Sequence, residues 1–154
     1  MKSLEKLRKT LRKFGASQFV YREDFDADGG NLIFVEFRYD RYPVVRRISV
    51  DSIAMLYLEK NPWSTKRRCT ETEYIDRVLE KSRTEAMQML VEHVITLAGI
   101  VDAGGATFEE TFLGYFKLKD GRTVAQHLLP ALDEMVDTGQ IPLLKGLGRK
   151  KNVR

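Results

Sequence analysis

The sequence predicts an α+β fold: an N-terminal helix, a three-stranded antiparallel meander, a long central helix and a small C-terminal part of short helices and a hairpin. Three observations carry this. Leu4, Leu7, Leu11 and Phe14 recur at spacings of three and four, the apolar stripe of one helix over about residues 3–14. Leu32 to Tyr39 (LIFVEFRY) alternates as a strand does, with Ile33, Val35, Phe37 and Tyr39 on one face. Helical spacing then returns from Tyr74 to Val101. With 154 residues, 43% of them apolar, the chain is long enough for one domain with a real core.

In the first helix, Ser3 is placed to cap the start and Gly15 to end it in a left-handed conformation. Strands are expected at Gln18 to Arg22, Leu32 to Tyr39 and Val44 to Val50. Asp28-Gly29-Gly30-Asn31 marks the first turn, and Asp40-Arg41 with Pro43 the second. A short helix starts at Asp51 or Ser52 and breaks at Asn61-Pro62. Residues 61–69 (NPWSTKRRC) form a basic loop around the only tryptophan, Trp63. Thr70 and Glu73 form a capping box for the long helix, about 71–102, which has room for a bend near Lys81 to Thr84 and ends at Gly104-Gly105. Thr107 with Glu110 caps a short helix. Tyr115 to Leu118 reads as a strand with a turn at Asp120-Gly121. Thr123 with Gln126 caps a last helix that Pro130 kinks or breaks and Gly139 stops. Residues 1–144 read as a single domain and 145–154 as a flexible basic tail.

Charge is the strongest functional signal. Lys2, Lys6, Arg8, Lys9, Arg12 and Lys13 stand against a single acid, Glu5, in the first thirteen residues. Lys60, Lys66, Arg67 and Arg68 flank Trp63, and Lys145, Arg149, Lys150, Lys151 and Arg154 end the chain. The formal net charge is only +4, so the basicity is concentrated and points to a polyanionic partner, nucleic acid first. The plainer reading of the first group is the solvated face of a docked helix. No apolar run approaches the roughly 18 residues that span a bilayer, and the basic N-terminus lacks the apolar core of a signal peptide. A cytoplasmic protein without a membrane partner is expected. Cys69 is the only cysteine, which leaves no internal disulfide.

Helix, three antiparallel strands and helix over residues 3–102 resembles the order of a double-stranded RNA-binding domain. That likeness implies a basic segment at the start of the second helix, where Lys66, Arg67 and Arg68 stand. The Lys/Ala pattern usual there is absent. The string TFEETFLGYFKLKDGRTVAQHLLPALDEMVDTGQIPLL, with the N-terminal LEKLRKTLRKFGASQFVYREDF, resembles an uncharacterised family of short proteins encoded by phages and mobile elements. The resemblance implies a mobile-element setting, where small proteins act on nucleic acid or on host defence, and no particular active site.

Motifs for chemistry are few. Asp24, Asp26 and Asp28 followed by Gly29 match the first half of a calcium loop, D-x-D-x-D-G. Its twelfth position is Val35 rather than glutamate, and strands flank it, so a solvated hairpin turn is preferred to calcium or magnesium binding. His93 and His127 lack a second histidine or a cysteine at ligand spacing. No nucleophile elbow or Walker loop occurs, so no cofactor and no catalysis are expected. Trp63 beside Lys66, Arg67 and Arg68 could stack a base while the cations hold phosphates; its plainer role is a plug at the end of the sheet. Arg46 shares its strand face with Val44 and Ile48, and Arg47 shares that of Val45, so at least one of the two lies at a margin or faces a partner.

These features favour a small non-enzymatic nucleic-acid-binding protein with a site drawn from Lys6, Lys9, Lys13, Arg46, Arg47, Trp63, Lys66, Arg67 and Arg68, its phosphate contacts made mostly through Lys6, Lys9, Lys13, Arg67 and Arg68. The alternative is a protein-binding adaptor or counter-defence inhibitor that uses an acidic surface. Residues 99–140 carry seven acids against three lysines and arginines. A homo-oligomer paired through the long helix is a third arrangement.

Overall fold

A computed structural model describes residues 2–25 and 27–140. Its element order is α1 (Lys2–Phe14), β1 (Ser17–Phe25), β2 (Asn31–Tyr39), β3 (Tyr42–Ser49), α2 (Val50–Lys60), α3 (Glu71–Asp102), α4 (Phe108–Phe112), α5 (Val124–Leu128) and α6 (Leu132–Thr138). The α+β fold is therefore the expected one. The tail at 145–154 and Asp26 lie outside the described residues. No helix among the described residues is long and apolar enough to cross a membrane.

The strands form an antiparallel sheet in the order β1-β2-β3. Register pairs Tyr21 with Val35 and Arg22 with Phe34, and on the other side Phe34 with Arg47 and Phe37 with Val44. Because side chains alternate, one face carries Ile33, Val35, Phe37 and Val44 into the main core. There they meet Leu7 and Leu11 of α1 and Leu90, Val91 and Val94 of α3. Phe108, Phe112 and Phe116 close this core against Phe37, Tyr39 and Tyr42, with Phe37 edge-on to Phe112. A satellite cluster of Ala54, Tyr74 and Val78 joins α2 to the start of α3.

Boundaries differ from the sequence reading where local polar groups find partners. Helix α1 begins at Lys2, so Ser3 sits in its first turn instead of capping it. Gly15 does end it, at φ +95°. Strand β1 runs on to Phe25 because Glu23 and Asp24 stay paired with Ile33 and Leu32. Helix α2 starts one residue early, capped by Ser49, whose hydroxyl accepts from the Ser52 amide. The Asp51 carboxylate instead accepts from the backbone N–H (2.7 Å) and side-chain Nδ2 (2.9 Å) of Asn31, tying α2 to the hairpin. Helix α3 is uninterrupted from Glu71 to Asp102, and its Thr70/Glu73 capping box is reciprocal. It is about 48 Å long.

The strand expected at Tyr115 to Leu118 does not form as a ladder. A 3-10 turn takes Leu113–Tyr115, followed by two isolated bridges, Val44 to Phe116 and Lys117 to Thr123. Lys117 donates to the Pro43 carbonyl at 2.8 Å, but Pro43 has no N–H to return, so the pairing cannot lengthen past it. Pro130 falls in a 3-10 turn, Leu129–Ala131, which splits the expected last helix into α5 and α6. Gly139 ends α6 at φ +66°.

Candidate nucleic-acid interface

The loop between α2 and α3 and the first three turns of α3, with Tyr57 of α2, line an open cationic cleft. Thr70 fixes where α3 begins, so residues 74, 77, 78 and 81 share one side of the helix at spacings of three and four. Tyr74 and Val78 are buried on this side against Ala54 of α2. Arg77 and Lys81 stand beside them, and Arg67, Arg68 and Cys69 of the preceding loop complete the wall of an open cleft. The cavity between them has a volume of about 440 Å³ and is lined by Tyr57, Arg67, Arg68, Cys69, Tyr74, Arg77, Val78 and Lys81. That wall holds four cations, two tyrosines and no acid.

The aromatic rings position the cations. The Arg67 guanidinium lies over the Tyr74 ring at 4.2 Å, and Lys81 Nζ over the Tyr57 ring at 4.9 Å. Tyr74 donates its hydroxyl to the Asn61 carbonyl at 2.6 Å, which holds the loop's start against α3. Lys81 has one exposed ion pair with Glu85, at 3.9 Å. Among the described residues Arg67, Arg68 and Arg77 form no ion pair. A second cavity, of about 480 Å³, opens on the other side of Arg67 and Arg68 and is lined also by Trp63, Thr65, Thr70 and Glu73.

Trp63 is half-buried against the satellite cluster, and its indole N–H donates to the Cys69 carbonyl at 3.0 Å. It plugs the loop and shows one edge to the second cavity. Lys66 is exposed outside the wall of either cavity. Arg77, Lys81 and Tyr57 were missed by reading charge as runs. The signal for Arg77 and Lys81 is the i, i+3, i+7 series Tyr74, Arg77, Lys81 on one helix face; Tyr57, on α2, has none.

The remaining basic residues lie elsewhere. Lys13 lines a small cavity with Ala98, Gly99 and Asp102 near the far end of α3. From Tyr74 to Ala98 the helix rises about 36 Å, so α1 and the cleft are separate patches. Lys9 pairs with Glu5 at 3.8 Å, and Lys6 is exposed on the same helix. Arg46 points to the helix side of the sheet, its guanidinium 4.9 Å from the Tyr115 ring centre and bonded to the Arg47 carbonyl at 2.7 Å. Arg47 is exposed on the opposite face.

Other titratable groups are accounted for locally. His93 meets the Tyr115 hydroxyl at 3.3 Å; burial, then the nearby Arg46 charge, pushes its pKa below the usual histidine value. His127 pairs with Asp120 at 2.7 Å. The carboxyl of Asp120 is held below its ordinary value chiefly by the Arg122 backbone N–H, then by His127. Tyr21 is pushed up to about 12 by burial and by Glu23, whose carboxylate accepts its hydroxyl. Asp24 accepts from the Phe25 amide, and among the described residues no group of three His, Cys, Asp or Glu side chains comes together as a metal site. No family model matches the chain, and no curated protein or solved structure matches it at a significant level.

Proposed function

We propose that the protein is a small, non-enzymatic nucleic-acid-binding protein whose principal contacts are to phosphate, made in the α2–α3 cleft. The observation that carries this reading is the convergence of Arg67, Arg68, Arg77 and Lys81 on one concave wall without an acid. Exposed cations on a convex surface stay solvated and are worth little. Cations converging on one cavity, three of them without an ion pair among the described residues, favour a multiply charged anion. A nucleic-acid backbone supplies such a ligand, with counterion release as the driving term. The mobile-element setting implied by the sequence resemblance agrees with this role.

The test is anisotropy of labelled single- and double-stranded DNA and RNA across salt concentration, read beside the emission of Trp63, the only tryptophan. Salt-sensitive binding supports the reading, and a change in Trp63 emission reports a ligand at the second cavity, which shares Arg67 and Arg68 with the cleft. Affinity unmoved by Arg67→Glu with Arg68→Glu would sink it.

A second reading has its own observation. Helix α6 and the 3-10 turn before it expose Leu129 (62%), Leu132 (46%) and Val136 (75%) at spacings of three and four, with Asp133, Glu134 and Asp137 between and beside them. This acid-flanked apolar stripe fits a protein-binding adaptor or counter-defence inhibitor. A pull-down returning one stoichiometric protein and no nucleic acid would favour it.

A further inference from the structure

The face of the sheet turned away from α1 and α3 has a composition of its own. To the main core β2 and β3 contribute Ile33, Val35, Phe37 and Val44, all on the other face, while Leu32 and Val45 are the buried residues on this one. On the outward face the register sets Arg22, Phe34 and Arg47 in one row across the three strands. Phe34 is half-buried at the centre of the sheet, with the Arg22 guanidinium lying over its ring at 4.9 Å from the centre. Val20, 45% exposed, lies on the same face in the next row.

The polar rim of this face is cationic. Arg38 and Arg47 are exposed and have no ion pair among the described residues. Asp24 and Glu36 are the acids. Glu36 is taken up twice, by Arg22 at 2.8 Å and by Lys117 at 3.5 Å. A notch of about 190 Å³ opens beside this pair, with Gln18, Arg38, Val45 and Lys117 in its wall. Gln18 reaches it through an irregularity in β1 between Ser17 and Val20, with its backbone at φ +54°. A non-glycine residue held there is unusual, and such irregularities re-aim side chains beside binding sites.

We propose that this open face binds single-stranded nucleic acid, with a base stacked in the Arg22–Phe34–Arg47 row and the backbone held by Arg38 and Arg47. An aromatic ring flanked in register by two arginines, one of them already stacked over it, offers the π-faces and cations that an unpaired base and its phosphate use. A duplex hides its base planes and would leave Phe34 against phosphates. An acidic peptide would use the arginines but leave Phe34 and Val20 without a role. The inference extends the nucleic-acid reading to a second surface, and it makes strand form the discriminating property.

The experiment measures anisotropy of a fluorescein-labelled oligothymidylate of roughly 15 nucleotides and of a duplex of equal length. The proteins are the full chain, Phe34→Ala, Arg47→Glu and the Arg67→Glu/Arg68→Glu pair. Phe34→Ala is expected to weaken single-strand binding roughly 5- to 150-fold, the range of one lost stack, and to leave duplex affinity within about twofold. Arg47→Glu, at an exposed position, guards against a folding defect in Phe34→Ala and should also weaken the single strand more than the duplex. Unchanged single-strand affinity in both variants, or equal losses on single strand and duplex, overturns the inference. So does binding of poly-glutamate in place of the oligonucleotide. If the cleft pair binds normally while Phe34→Ala fails, the cleft reading falls and the sheet surface stands. The reverse result removes the sheet surface and keeps the cleft.

Discussion

Helix α1 and the α2–α3 cleft are both basic, but they use charge differently. Six cations decorate α1, whose other side is fixed in the core by Leu7 and Leu11, but they are dispersed: Lys6 and Lys9 stand exposed, Arg8 and Arg12 line one hollow with Ser17 and Gln18, and Lys13 lines another with Asp102. One of them is offset by Glu5, and Arg8 lies over Phe19 at 5.5 Å. The cleft has fewer cations, but they come from two segments and face one cavity across Tyr57 and Tyr74. Charges that diverge into water are screened singly within a Debye length of about 8 Å. Charges that converge on a concave wall add their potentials at one place. The comparison teaches that curvature, and not the number of lysines and arginines in a run, marks the better anion site.

The strongest way to break this contrast is to reverse the cleft. Arg67→Glu with Arg68→Glu should weaken nucleic-acid binding roughly 10- to 100-fold at low salt and lower the slope of log affinity against log salt by about two. An unchanged slope would show that neither side chain meets phosphate. A milder perturbation acts through the helix start. Thr70 holds the capping box that places Tyr74, Arg77 and Lys81, its hydroxyl accepting from the Glu73 amide at 3.2 Å. Thr70→Ala should cost about 1 kcal/mol of stability in denaturant titration. A loss near zero would mean that the α2 contacts alone define where α3 begins.

Much of the fold was legible because its signals are local. The capping boxes at Thr70, Thr107 and Thr123 each need only a residue and its third neighbour, and all three form. The alternation of Ile33, Val35 and Phe37 foretold the buried face directly. Tyr115 to Leu118 read as a strand since Tyr, Phe and Leu favour one, but the neighbour that would complete the ladder presents Pro43, some 70 residues away in sequence. The cleft was half legible. Trp63, Arg67 and Arg68 are adjacent in the chain, whereas Arg77 and Lys81 are hidden among the apolar positions of a long helix and gain meaning only when α2 packs beside them. The row Arg22–Phe34–Arg47 depends on register across two hairpins, which no single segment encodes.

Reversal on α1 sharpens the comparison from the other side. Lys6→Glu with Lys9→Glu changes the net charge as much as the cleft pair does. Their cations stand exposed and dispersed on α1, so affinity should fall by less than about threefold. A loss equal to that of the cleft pair would mean that total charge, and not shape, governs binding, and would erase the distinction drawn between the two regions.

The smallest effect concerns pH and separates stability from binding. His93 lies on α3 between the two basic regions, packed edge-on to Tyr115 at 5.8 Å between ring centres and near Arg46. Burial and the Arg46 charge lower its folded-state pKa below 6.5, so the unfolded chain takes up a proton first as pH falls. Its contribution is thus a loss of stability that begins as pH drops through about 6.5 and is complete below the depressed folded value. Guanidinium groups keep their charge across that range. Denaturant midpoints should therefore decline on acidification from pH 7 to 5.5, by less in His93→Gln than in the parent chain. Over the same range the cleft, remote from His93 along α3, should keep its affinity for duplex at constant salt. A parallel fall in affinity would show that the cleft depends on the packing of Tyr115 at mid-helix, and the two regions would then have to be treated as one coupled surface.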